Sequence, residues 1–285
     1  MTARSGSEAA AATTAATLAA PPTAKRLQAP LLPSVLLLTA ALLLTAGMAV
    51  SLGPVHVPFL TVWRVLLHRL FGLDTGALSG GTDAIVWQIR LPRVVLAGMV
   101  GATLACSGAT YQGVFRNPLA EPYLIGVASG AGLGAAVAIV TPLHASWHGL
   151  GTTPLFAFAG AMAAVSIAYG VARSGGATPA ATLILAGVAV STLASSAMSF
   201  IFLQHNERFL TILSWLLGGF NTASWSACAL VLPYVLLMLA TVLGFGRVLN
   251  VLQFGEEQAQ QLGLPVERVK LLLLIAASLG AAAAV

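Results

Sequence analysis

The side chains that could serve as ligands, acids, bases or nucleophiles are few, and they are scattered. Five histidines occur: His56, His68, His144, His148 and His205. His144 and His148 are four apart, which puts two imidazoles on one helix face at metal-ligand spacing. Pro142, Ser146 and Gly149 surround them without a carboxylate, so no metal site is expected. Cys106 and Cys228 both fall in apolar runs and read as small buried hydrophobes rather than a disulfide. The chain has no G-x-x-x-x-G-K-[ST] segment, so any use of ATP must come from another chain. No catalytic constellation can be assembled, and no cofactor is expected.

Four other segments carry polar groups in a pattern. Arg90-Leu91-Pro92-Arg93 opens the second long apolar run. Pro92 suits a first helical turn, and two cations at a helix N-terminus oppose the macrodipole. Two readings stand open: the arginines snorkel to lipid phosphates, or they await anionic groups on an external protein. Arg116-Asn117-Pro118-Leu119-Ala120-Glu121-Pro122 closes the same run. Its prolines break the helix and free backbone groups, some of which Asn117 can satisfy. A plain turn and a transporter gate are both compatible with it.

In the third segment Gly126, Gly130 and Gly134 recur every four residues and flatten one helix face for close packing in lipid. The fourth is Gly255-Glu256-Glu257-Gln258-Ala259-Gln260-Gln261-Leu262-Gly263-Leu264-Pro265. Glu256 and Glu257 suit a first helical turn, Gly263 a C-terminal cap, and Pro265 blocks continuation. A short helix of about two turns follows, either an ordinary hairpin or a rigid knob offered to a soluble partner.

The elements that must position these segments are set by composition. The chain has 285 residues, 58% hydrophobic and 7% charged, too few charges to cover a water-soluble surface. Lipid is the simplest solvent for it. The net charge of +5 is not concentrated beside aromatics, which argues against nucleic acid. Residues 1–30 are Ala-, Thr- and Ser-rich and read as a disordered cytoplasmic tail. Residues 31–285 read as a membrane domain, an all-α polytopic bundle. Apolar runs of spanning length occupy about 31–52, 94–115, 123–143, 152–172, 180–203 and 226–246. A seventh begins near Val269 and is unfinished at Val285, giving six full spans and part of another. Residues 58–71 read as an interfacial helix and 209–220 as a short or re-entrant one. With the tail inside, the inner side holds Arg4, Lys25, Arg26, Arg116, Arg173, Arg247, Arg268 and Lys270. The outer side then holds Arg64, Arg69, Arg90, Arg93 and Arg208, so the balance favours a cytoplasmic N-terminus.

The ordered stretches RLPRVVLAGMVGATLACSGATYQGVFRNPLAEPYLIGVASGAGLG, LILAGVAVSTL, WLLGGF and LNVLQFGEEQAQQLGLPVERVK resemble the FecCD-type permeases of ABC importers for ferric siderophores, haem and cobalamin. The resemblance implies a bacterial inner-membrane machine. In it two permeases pair in the lipid, two ATPase subunits bind below, and an extracytoplasmic binding protein docks above. It implies that Arg90 and Arg93 pair with glutamates of that binding protein. Gly255, Glu256, Ala259, Leu262 and Gly263, with Glu257 beside them, match the coupling helix that fits an ATPase groove. Asn117 and Leu119 match the region that narrows the cytoplasmic gate. The family has about ten spans, and its G-F-x-G-L-x-x-P-H segment beyond the coupling loop has no match here, so the 285 residues alone are not expected to transport. A secondary carrier would need mid-span ionisable groups and an internal repeat, and a membrane enzyme would need a convergent His/Asp/Glu group. Neither is evident.

Overall fold

The computed structural model describes residues 31–73, 80–142, 151–173 and 178–285. The 1–30 tail and the His144/His148 pair therefore lie outside the described residues. The chain divides into two compact units, residues 1–48 and 49–285. In the first, the described residues form most of helix α1, Leu31–Ser51, a leucine-rich stretch long and apolar enough to cross a membrane.

In the second unit every described regular element is helical. α2 is Phe59–Phe71, α3 is Gly80–Ala84, and a π-helical turn over Ile85–Arg90 leads into α4, Leu91–Phe115. α5 is Val127–Val140, α6 Thr152–Ala172, α7 Ala180–Gln204, α8 Phe209–Leu216 and α9 Trp225–Leu252. α10 is Glu256–Gln261, and α11 is Val266–Ala284. α4 packs on α9 and α11, while α5, α6 and α7 pack on one another. Tyr111, Met238 and Leu273 fill the first junction, and Val127, Ala131, Ala157 and Ala161 fill the α5/α6 contact. The two short segments expected near 58–71 and 209–220 are the helices α2 and α8.

Three boundaries differ from the sequence expectation. The second long helix begins well before residue 94, since Gly81–Phe115 is one continuous 35-residue candidate span. The π turn explains the continuity. The Leu91 N–H bonds to the Val86 carbonyl, five residues back, which widens the helix just ahead of Pro92, a residue with no N–H and a ring that crowds the preceding turn. Arg90 and Arg93 are therefore inside a helix and not at its N-terminus, and the macrodipole argument does not apply to them.

The run 123–143 yields only the 14-residue α5, about 21 Å at 1.5 Å per residue. Pro118 and Pro122 hold residues 117–126 in turns, and Gly126, in the left-handed region at φ 87°, starts the helix late. Five helices among the described residues meet the length and apolarity of a span. α11 starts at Val266, and Glu267, Arg268 and Lys270 in its opening turns give it a polar end.

Candidate functional site

α4 ends by a left-handed residue, Arg116, at φ 51°. The chain then folds back through an Asx turn in which the Leu119 N–H donates to Asn117 Oδ1 at 2.9 Å. The Asn117 N–H donates to Gln112 O at 3.2 Å and Ala120 N–H to Asn117 O at 3.1 Å. Asn117 thus satisfies the Leu119 N–H with its side chain and ties the turn to Gln112 and Ala120 through its own backbone. Leu119, at the tip of the turn, is 82% exposed.

α10 is punctuated at both ends by glycine. Gly255 precedes it at φ 125° and Gly263 follows it at φ 84°. The Gly263 N–H donates to Gln260 O at 2.9 Å and Leu264 N–H to Ala259 O at 3.1 Å, which closes the helix end. Ala259 is fully buried beneath it, and Phe254 and Leu262, flanking it, are more than two thirds exposed. Glu256 and Glu257 differ in role. Glu257 is exposed, whereas Glu256 turns inward, its Oε1 accepting from Lys270 Nζ at 2.9 Å.

The turn and the knob meet. Asn117, Arg116, Gly255, Glu256, Glu257 and Pro179 line one open cleft of about 830 Å³. Two features 138 positions apart in sequence, Asn117 and Gly255, are thereby brought to one end of the bundle. Leu119 stands outside the cleft lining.

Arg90 lies at the opposite end of α4, about 40 Å away at 1.5 Å per residue. The structure separates it from Arg93. Arg90 is 8% exposed, and its Nη1 donates to Val50 O and Ser51 O, both at 2.9 Å. Its Nη2 donates to Val55 O. Arg93 is exposed and makes one long contact, Nη2 to Asn221 O at 3.4 Å. Trp87 and Trp225 pack nearby, tilted by 41° with ring centroids 5.3 Å apart, and Trp225 Nε1 donates to Trp87 O at 2.9 Å. The Arg69 guanidinium sits 5.9 Å from the Trp87 ring and 3.3 Å from Asp83 through Nε. The Asp83 hydrogen bond, and then its charge, hold Arg69 above its usual pKa range.

The glycines also divide. A Cβ on Gly130 would lie 2.5 Å from Gly160 O and 2.6 Å from Ala164 Cβ, and one on Gly134 would collide with Phe156 O. Gly130 and Gly134 thus hold α5 against α6 at backbone contact, the approach that small residues permit in lipid. Gly126 belongs to the preceding turn, near Ser191 and Val190.

Sequence reasoning missed the burial of Arg90 and the environment of Lys270, which is 2% exposed. The signal for the second was present, since a lysine just ahead of the run Leu271-Leu272-Leu273-Leu274 needs a partner in low dielectric.

Comparison with known proteins bears on the chain as a whole. Residues 23–285 match the model of the FecCD transport family. The chain is 39% identical over 241 residues to the uncharacterised ABC transporter permease YvrB of Bacillus subtilis, covering 84% of this chain and 68% of that one. It is 46% identical over 203 residues to the cobalamin import permease BtuC of Halobacterium salinarum, covering 71% and 54%. It is 37% identical over 247 residues to the hemin transport permease HmuU of Yersinia pestis, covering 80% and 72%. A solved ABC transporter described as metal-chelate type, in an inward-facing conformation, superposes with a TM-score of 0.70 at 28% identity, covering 88% of this chain and 75% of that one. The chain belongs to the FecCD transport family, as a membrane-spanning permease of the ABC importer class.

Proposed function

We propose that this chain, paired with a second permease subunit, forms the translocation path for a ferric siderophore, haem or cobalamin-type chelate. The relatives that carry hemin and cobalamin support that cargo class. The observation that carries the reading is the shared cleft of Asn117 and the α10 end, because it sets the end of a long helix beside a short, glycine-flanked one. In this reading a partner that displaces the knob also changes the space beside the break.

In this reading two separate ATPase subunits bind the α10 face, with Phe254, Leu262 and Glu257 as the exposed contacts, and supply all ATP chemistry. The Arg93 end meets an extracytoplasmic binding protein. Arg93 offers the docking charge, and Arg90 fixes the helix that carries it. The α10 face is then cytoplasmic in a bacterial inner membrane, with the N-terminus on the same side. The permease contributes a path and a lever. ATP must favour one global state over the other for the switch to occur.

The test is uptake of labelled ferric siderophore, haem and cobalamin by a deletion strain complemented with the full-length gene. Restored uptake of one of them that stops on ATP depletion is expected. Uptake that survives ATP depletion and collapses with an ionophore would instead establish an ion-coupled carrier.

A further inference from the structure

Lys270 is the centre of a buried polar knot that ties α10 to two helices. Its Nζ donates to Thr178 O at 2.7 Å and to Glu256 Oε1 at 2.9 Å, and lies 3.7 Å from Glu267 Oε1. The ammonium thus has two hydrogen-bond acceptors and a second carboxylate close enough for charge pairing. Glu267 is held a second time, since Thr178 Oγ1 donates to its Oε2 at 2.7 Å. Thr178 is 1% exposed, and Lys270 is 2% exposed. The knot therefore joins the stretch leading into α7, the first residue of α10 and the first turn of α11.

The geometry points to Lys270 as the positioning residue that makes α10 a lever. α10 has six residues and is flanked by glycines at φ 125° and 84°. A helix that short, hung between two permissive backbone positions, would swivel under load and absorb a push in its own linkers. The ion pair removes that freedom at the Gly255 end. A displacement of Glu256 either carries Lys270 and Thr178 with it or strips a buried ammonium of its partners, and the second course is the costlier. The push on α10 is thus delivered to the ends of α7 and α11. α7 and α11 both pack on α6, and α11 also packs on α4. Lys270 acts through α10 and touches neither cargo nor nucleotide.

The mechanical claim is independent of the importer reading, whereas its consequence for transport rests on it, so two measurements are needed. The first is amide exchange of the purified permease carrying Lys270→Met, Lys270→Arg or Glu256→Gln. Exchange across residues 256–264 is expected to quicken at least ten-fold in Lys270→Met and to a lesser degree in Glu256→Gln. Lys270→Arg should recover part of the protection, and α4 and α9 should stay unchanged. The second is substrate carried per ATP hydrolysed by the full complex in proteoliposomes. Lys270→Met should still bind its ATPase and hydrolyse ATP, with the ratio lowered about ten-fold.

Unchanged exchange in α10, or exchange that rises equally in every helix, overturns the proposal. So does a transport ratio equal to that of the unmodified complex. If Lys270→Met fails to fold, Glu256→Gln decides, because Glu256 lies at the half-exposed rim of the knot. Protected α10 exchange that depends on Lys270, together with uptake that survives ATP depletion, supports the strut and refutes the importer reading instead.

Discussion

Arg90 Nη1 meets the carbonyl oxygen of Val50 at 2.9 Å across 40 positions of sequence. The same nitrogen takes Ser51 O, and Nη2 takes Val55 O. One guanidinium thus satisfies three carbonyls where α1 ends and the chain turns toward α2. A planar, permanently charged fork is suited to this, and an ammonium is not. Leaving such carbonyls without donors should cost on the order of 3 kcal/mol. Arg90→Ala, and to a smaller degree Arg90→Lys, should lower the thermal midpoint of the detergent-solubilised protein. Arg93→Glu should leave the midpoint unchanged and weaken binding-protein association about ten-fold. Equal effects of the two substitutions on both readouts would refute the division of roles.

Two helix glycines, Gly134 at the α5/α6 contact and Gly101 on α4, give predictions of opposite sign. Gly134 lies against the Phe156 carbonyl, so Gly134→Val must separate the helices, at a cost of about 1–3 kcal/mol or more for overpacking. Nothing lies within 4 Å of a Cβ at Gly101 in this chain. There Gly101→Ala should stabilise by up to about 1 kcal/mol through helix propensity. Thermal midpoints of the two variants, measured in the same detergent, check the contrast. A tolerated Gly134→Val would mean that α5 and α6 are not held at backbone distance.

What the sequence made legible follows from range. The α10 helix was readable because its signals are local: two glutamates to start it, Gly263 to end it and Pro265 to bar its continuation. The face formed by Gly130 and Gly134 was readable because helical periodicity alone fixes it. The break at Pro118 and Pro122 was readable as a break, but the late start of α5 was not, since the apolar run itself continues through it. The burial of Arg90 and Lys270 was not readable, for a different reason. Each looked like a charge on one side of a membrane, and what decides its role is a carbonyl or carboxylate far along the chain. Lys270 finds Thr178 at a separation of 92 residues, and no periodicity encodes that. The π turn was missed because its cause, Pro92 inside a helix, reads equally well as a helix start.

Gly255 should tolerate no side chain. Its backbone, at φ 125° and ψ 153°, occupies a region that is essentially glycine's alone, where another residue is strained by roughly 1–3 kcal/mol. A Cβ there would also displace the exposed Gln258 side chain, which can swing away, so the backbone strain is what decides. Gly255→Ala should therefore turn α10 out of line and reduce capture of the ATPase in a pull-down about ten-fold. Gly244→Ala, with open space around it and no such φ, should capture as the unmodified chain does. Full capture by Gly255→Ala would show that α10 does not need its present orientation to bind.

Tyr111 and Ser278 offer the cleanest measure of polar attachment inside the bundle. Their hydroxyls are 2.8 Å apart, both residues are fully buried, and they join α4 to α11. Ser107 adds a second tie one turn away, its Oγ donating to Ala277 O at 3.0 Å. In lipid the reward for such a bond is modest, about 0.6 kcal/mol on average, because the unfolded state also finds partners. The larger effect is the penalty for an orphan. Ser278→Ala leaves the Tyr111 hydroxyl buried without its partner, at about 1–3 kcal/mol. Tyr111→Phe leaves only the small Ser278 hydroxyl, which can turn to a backbone carbonyl of its own helix. The double variant should accordingly be more stable than Ser278→Ala alone, a reversal that simple addition of two losses cannot give. Unfolding of the three variants in mixed micelles measures it. Additive losses would mean that the two hydroxyls do not depend on each other.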